Sequence, residues 1–137
     1  MEIKQSAKKY RYDHSIVYSC QYHVVFCPKY RRSVLIDGVG ERLKELVLEK
    51  QGTYGYVILD MEVLPDHVHL LISCDPRVGI NKIVGQIKGY TAHTLRNEFP
   101  WLKSRLPSLW TRSKFISSVG AVTLEVVKRY IADQKGI

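Results

Sequence analysis

Residues 61–73 read MEVLPDHVHLLIS, and the second half of that stretch decides the fold. From His67 onward Val, Leu and Ile dominate, which is the composition of a β-strand, and on a strand residues i and i+2 face the same way. His67 and His69 therefore project side by side. A pair of imidazoles so placed can chelate a divalent metal from one side and leave coordination positions open, as a catalytic site requires and a structural one avoids. Residues 54–64 read as the preceding strand, with Val57, Leu59, Met61 and Val63 on one face and Tyr56, Ile58, Asp60 and Glu62 on the other. Pro65-Asp66 leaves room only for a tight connection, so the two strands form an antiparallel pair.

Upstream, residues 16–27 alternate, with Tyr18, Cys20, Tyr22, Val24 and Phe26 on one face and Ser19, Gln21, His23 and Val25 on the other, until Pro28 stops the strand. Lys29-Tyr30-Arg31-Arg32 then sets an aromatic ring among three cations in a loop, equipment that can hold a sugar-phosphate backbone and stack a base. An ordinary solvated turn has the same composition, and the segment alone does not choose between the two. Asp37 is placed to cap a helix running to about residue 50, with Val39, Leu43, Leu46 and Val47 at helical spacing and Gly52 as a left-handed stop.

Downstream, Pro76 and Gly79 precede a second helix over residues 80–98, whose apolar stripe is Ile80, Ile83, Val84, Ile87, Thr91 and Leu95. Its other side carries Lys82, Lys88, His93 and Arg96. Residues 99–110, with two prolines and two tryptophans, read as an ordered loop, residues 114–119 as a short strand, and residues 121–135 as a last helix packing through Leu124, Val127 and Ile131. Tyr130 and Gln134 are one helical turn apart on one side of it. The order βαββαβ plus a C-terminal helix is the α+β, ferredoxin-like or RRM-like plan: a four-stranded antiparallel sheet with both crossover helices on one face. Its first and third strands are central neighbours, so Gln21 and His23 should lie beside His67 and His69, flanked by Asp60 and Glu62.

At 137 residues the chain fits a single domain, 1–137. It lacks an apolar run long enough for a membrane span, and the basic start has no apolar region behind it, so a soluble cytoplasmic protein is expected. Residues 1–14 read as a mobile basic arm, either touching phosphates or idle. Cys20, Cys27 and Cys74 are odd in number and sit in apolar runs, which predicts buried free thiols. The excess of 21 Lys+Arg over 13 Asp+Glu, a net charge of +8, favours a polyanionic partner, though many small basic proteins are merely soluble.

Four blocks, YHVVFCPKYRR, MEVLPDHVHLLIS, LWTRSKFISSVG and VVKRYIADQ, resemble in order and spacing the single-tyrosine HUH transposases of the IS200/IS605 insertion sequences. The resemblance places the metal-binding pair at His67 and His69, the nucleophile at Tyr130 and the third metal ligand at Gln134. Two imidazoles and an amide oxygen make a neutral ligand set suited to Mg²⁺ or Mn²⁺. What it implies is cleavage and rejoining of single-stranded DNA at imperfect hairpins through a 5′-phosphotyrosine, by a homodimer. Lys29, Tyr30, Arg31, Arg32, Lys88 and Arg112 become candidates for hairpin contact. Among five histidines an HxH can arise by accident, and Tyr130 or Gln134 alone is uninformative. Their joint occurrence in a basic domain of this plan carries the reading. His23, Glu62 and Asp66 read as metal neighbours or as polar surface, Asp66 as a turn cap. The alternatives are a non-catalytic RRM-like nucleic-acid-binding module and a metal-dependent nuclease without a covalent intermediate; the first is disfavoured because an RRM displays aromatics where this sheet displays histidines and carboxylates.

Overall fold

The structure is a computed structural model that describes residues 11–13, 16–18, 20–119 and 124–136. Its centre is an antiparallel sheet in the order β4-β5-β3-β6, made of β3 (Gln21–Phe26), β4 (Tyr56–Leu64), β5 (His67–Cys74) and β6 (Phe115–Ser118). Two long helices, α1 (Val39–Glu49) and α3 (Ile80–Glu98), pack on one face. There Leu43, Leu46, Ile83, Val84 and Ile87 close over Val24, Phe26, Val68, Leu70 and Ile72 to make the main core. The last helix, α5 (Leu124–Asp133), covers the opposite face, where Val127 and Ile131 meet Val25 in a second, smaller apolar cluster. The chain thus follows the expected βαββαβ plan, with its first and third strands adjacent at the centre.

Several expected elements are corrected by tertiary contacts. Residues 16–27 do not form one strand. The main-sheet ladder ends where β5 ends, with Gln21 opposite Ser73 and Cys74 N–H donating to the Cys20 carbonyl at 3.0 Å. Beyond that point β2 (Ile16–Tyr18) has no partner in the sheet, and it folds back on β1 (Arg11–Asp13) as a separate antiparallel pair. Three residues of the expected mobile arm are therefore paired; residues 1–10 and 14 lie outside the described residues.

β4 carries a bulge. Ile58 pairs with Ile72 but Asp60 with Leu71, so one extra residue, Leu59, enters the strand. The bulge puts Tyr56 and Ile58 on the core side together with Met61 and Val63, and Val57 on the side of Asp60 and Glu62. The uninterrupted alternation expected for residues 54–64 is thus shifted by one position before the bulge.

Asp37 does not cap α1. It is left-handed (φ 54°), and the cap position is taken by Gly38 at φ 92°, with no side-chain cap bond. Nor does Gly52 stop the chain, which continues through a short helix α2 (Gln51–Tyr54) until Gly55 turns left-handed at φ 79°. The expected loop at 99–110 contains another short helix, α4 (Trp101–Arg105). Trp110 closes that region, donating from Nε1 to Thr91 Oγ1 at 3.1 Å and meeting Phe26 edge-on. The three cysteines are free, with Cys27 and Cys74 buried. Among the described residues no helix is long and apolar enough to cross a membrane.

Candidate active site

The site forms between the α5 face of the sheet and α5 itself. The two-residue period of β5 sends Val68, Leu70 and Ile72 into the main core and His67, His69, Leu71 and Ser73 to the other side. On β3 the same period places Gln21, His23 and Val25 there, and on β4 the bulge leaves Asp60 and Glu62 there, Glu62 directly opposite His69. The expected grouping of histidines and carboxylates is therefore present.

His67 and His69 are buried, 7% and 3% exposed. The ring of His69 stacks on His23 with centroids 5.4 Å apart, and its Nε2 lies 3.2 Å from His23 Nδ1, one nitrogen donating to the other. Burial, reinforced by His23 and His67, drives the His69 pKa down to about 4, and burial lowers that of His23 as well. At neutral pH both rings are uncharged, the state that can donate a lone pair to a cation. His67 Nδ1 donates to Asp66 Oδ1 at 2.8 Å, which leaves Nε2 as its lone-pair nitrogen.

Asp66 Oδ2 in turn forms an ion pair with Arg31 Nε at 3.2 Å, and Arg31 Nη1 donates to the Ile131 carbonyl on α5 at 3.0 Å. Arg31 reaches inward because the turn after Pro28 is left-handed at two successive residues, Tyr30 (φ 61°) and Arg31 (φ 51°), and is closed by Arg31 N–H on the Pro28 carbonyl. A chain of contacts thus runs from the histidine strand to the tyrosine helix.

On α5, Tyr130 is half-buried, and Gln134, expected on the same helix, sits in the turn that follows its last residue, Asp133, and is 4% exposed. Both meet one hydroxyl: Ser113 Oγ donates to Gln134 Oε1 at 2.7 Å and lies 3.2 Å from Tyr130 Oη. The phenol ring rests against Phe115, and burial raises its pKa. The segment bearing Ser113 is held by Lys88 on α3, whose ammonium donates to the carbonyls of Thr111 (2.7 Å) and Ser113 (3.2 Å). Among the described residues no three His, Cys, Asp or Glu side chains form a metal-holding group. The donors this region offers to a divalent cation are the imidazoles of His67 and His69 and the Gln134 amide oxygen, three protein ligands that leave positions for substrate oxygens.

The structure gathers the residues expected to bind DNA only in part. Lys29, Tyr30 and Arg32 stay at the surface of their turn, Tyr30 41% exposed with Lys29 Nζ 5.3 Å from its ring, and Arg112 is exposed. Arg31 and Lys88 face inward on protein partners. Sequence reasoning missed two contributors. Asp66 was expected to cap a turn and instead grips His67; the available signal was a carboxylate next to a candidate ligand histidine. Ser113 sits in an irregular segment and had no signal at all.

A four-stranded antiparallel sheet displaying paired histidines beneath a helix that carries a tyrosine and is followed at once by a glutamine defines a class, and comparison with known proteins names it. The family model "Transposase IS200 like" matches residues 16–134, and the chain belongs to that family. It is 37% identical over 120 residues to the ISDra2 transposase TnpA of Deinococcus radiodurans, covering 86% of each chain. The transposase for insertion sequence element IS200 of Salmonella typhimurium is 32% identical over 120 residues, 85% of this chain and 78% of that one. The crystal structure of a candidate transposase from Deinococcus radiodurans superposes with a TM-score of 0.85 at 31% identity, covering 93% of this chain and 99% of the other. A REP-associated tyrosine transposase bound to a REP hairpin shares the fold, with a TM-score of 0.58 at 14% identity over 88% of this chain and 67% of that one. The activity class is therefore DNA transposition, an enzymatic cutting and joining of DNA.

Proposed function

We propose that the chain cleaves and rejoins single-stranded DNA at hairpin-marked ends of an insertion sequence through a 5′-phosphotyrosine on Tyr130, using Mg²⁺ or Mn²⁺ held by His67, His69 and Gln134. The observation that carries this reading is the joining of Tyr130 on α5 and Gln134 just beyond it on one hydroxyl, with α5 tied to His67 through Arg31 and Asp66. A bound divalent ion would supply Lewis-acid polarisation of the scissile phosphate. The protein supplies the rest. The Tyr130 oxygen attacks phosphorus as its proton passes to solvent, the bond from phosphorus to the 3′ oxygen breaks, and that oxygen leaves as a protonated 3′-hydroxyl. One phosphodiester replaces another of similar energy, so a 3′-hydroxyl from a second strand reverses the step without an external energy source.

Hairpin recognition is supported by the REP-hairpin complex of the distant structural neighbour, and by the exposed Tyr30, Arg32 and Arg112 with the half-buried Lys29 beside them. A homodimer is the expected assembly by family resemblance. In the single chain α5 lies on its own sheet, with Val127 and Ile131 against Val25 and the Ile131 carbonyl on Arg31.

Incubation with end-labelled single-stranded hairpin DNA and Mn²⁺, followed by denaturing electrophoresis, tests the reading. The expected product is a protein–DNA adduct that disappears with EDTA and in Tyr130→Phe. Cleavage without an adduct identifies a hydrolytic nuclease, and binding without cleavage an RRM-like module; either outcome rejects the proposal.

A further inference from the structure

Ser113 has one proton and two polar neighbours. It donates to Gln134 Oε1 at 2.7 Å, so at the 3.2 Å contact with Tyr130 the phenol is the donor and Ser113 the acceptor. This fixes two things. The Gln134 amide is held with its carbonyl oxygen, the atom able to ligate a cation, on the side of the tyrosine, and the Tyr130 oxygen is held on the same centre. A glutamine without such a partner can rotate its amide and present the NH₂ group, which has no lone pair for a cation.

The backbone of Ser113 is anchored independently of α5. Trp110 pairs with Pro28, Thr111 N–H donates to the Cys27 carbonyl at 3.0 Å, and Lys88 holds the Thr111 and Ser113 carbonyls from α3. The next strand, β6, starts at Phe115 opposite Val25. The hydroxyl is therefore presented from the sheet side of the site, and Tyr130 on α5 and Gln134 in the turn after it meet it there.

We propose that Ser113 is a catalytic-site hydroxyl that sets the register of the nucleophile Tyr130 and the ligand amide of Gln134, with Lys88 as its positioning anchor. This rests on the reading of Tyr130 and Gln134 given above. Loss of the hydroxyl leaves the amide unoriented, so cation affinity falls about tenfold, the usual scale for removing a group that orients a metal ligand. It also frees the phenol, so adduct formation at saturating cation slows.

The test is a set of full-length variants, Ser113→Ala, Gln134→Ala, the double variant and Tyr130→Phe, read by Mn²⁺ titration calorimetry without DNA, single-turnover adduct formation, hairpin affinity and thermal melting. Ser113→Ala is expected to weaken Mn²⁺ binding about tenfold in the wild-type background and to leave it unchanged in the Gln134→Ala background, because the hydroxyl acts on the cation only through that amide. Hairpin affinity is expected to stay at its wild-type value, and the melting temperature to fall by a few degrees, as the loss of one hydrogen bond to the buried Gln134 requires. Equal Mn²⁺ affinity and adduct rate in Ser113→Ala and wild type overturn the inference. So does a loss of Mn²⁺ binding that persists without Gln134, since that describes a structural role. Failure of the underlying reading looks different: the wild type then forms no adduct that Tyr130→Phe abolishes.

Discussion

Arg31 Nη1 donates to the backbone carbonyl of Ile131, one hundred residues further along the chain, at 3.0 Å while its Nε faces Asp66 at 3.2 Å. One guanidinium thus joins the turn after β3, the residue just before β5 and the last turn of α5. Its side chain is 17% exposed and that of Asp66 27%, so solvent screens the pair only partly. Arg31→Ala takes one partner from the Asp66 carboxylate, which keeps His67, and one from the Ile131 carbonyl, which keeps the Gln134 N–H, and should destabilise the fold by about 1–2 kcal/mol. The sharper expectation concerns α5: its amides should exchange with deuterium faster while those of α3 keep their protection. Arg31→Lys should restore little, because an ammonium lacks the fork that reaches both partners. Hydrogen exchange of the three proteins decides the point, and unchanged α5 protection in Arg31→Ala would show that the helix is held by its apolar contacts alone.

Asp66 sets the tautomer of His67. With a carboxylate at 2.8 Å the ring proton belongs on Nδ1 and the lone pair on Nε2. Asp66→Asn can turn its NH₂ toward Nδ1 and favour the opposite tautomer, which puts a proton where a cation would bind. Mn²⁺ affinity is expected to fall between 10- and 100-fold with a smaller effect on stability than Arg31→Ala. Calorimetric titration of the metal, alongside a thermal melt, separates the two effects; a variant that binds Mn²⁺ like wild type would remove Asp66 from the site.

Much of this site was legible because it follows from strand periodicity. The two-residue repeat puts His67, His69 and His23 on one face whatever the details of packing, and the helical spacing of Ile83, Ile87 and Leu95 places α3 at the residues observed. Asp66 defeated the same argument. It precedes the strand, so strand phase says nothing of where its carboxylate goes, and only the inward turn of Arg31 shows what it serves. Ser113 was hidden for a related reason, since its place depends on Lys88 and on Trp110 pairing with Pro28, contacts between residues far apart in the chain.

Lys88 makes the stability of the fold depend on alkaline pH. Burial, with repulsion from Lys114 second, lowers its pKa from 10.5 to about 8. Between about pH 8 and 10.5 the unfolded chain keeps a proton on this lysine that the folded chain has released, so stability rises with pH across that window. The gain is at most about 3 kcal/mol. In Lys88→Met the contribution is absent. Urea denaturation at pH 7.5, 8.5 and 9.5, taken as the difference between wild type and Lys88→Met so that tyrosine ionisation cancels, should show wild type gaining stability on the variant as pH increases. A flat difference would place the pKa of the buried ammonium at its ordinary value.

Leu59 is the extra residue for which strict alternation made no allowance, and its removal tests whether the bulge in β4 is needed. The extra residue lets Tyr56 and Ile58 face the main core while Asp60 and Glu62 face the histidines on the other side. Without it, one half of the strand must turn over: either Tyr56, 3% exposed and hydrogen-bonded to the Val47 carbonyl, leaves the core with Ile58, or Asp60 and Glu62 are driven into it. Loss of two apolar side chains from the interior costs about 3–5 kcal/mol, and burying carboxylates costs at least as much. Deletion of Leu59 should therefore lower the urea midpoint severely or prevent folding. Leu59→Ala keeps the extra backbone residue and a half-buried position, so it should cost only about 1 kcal/mol. Equal stabilities for the deletion and the alanine variant would mean that side-chain loss alone accounts for the effect and that the strand accepts straight pairing.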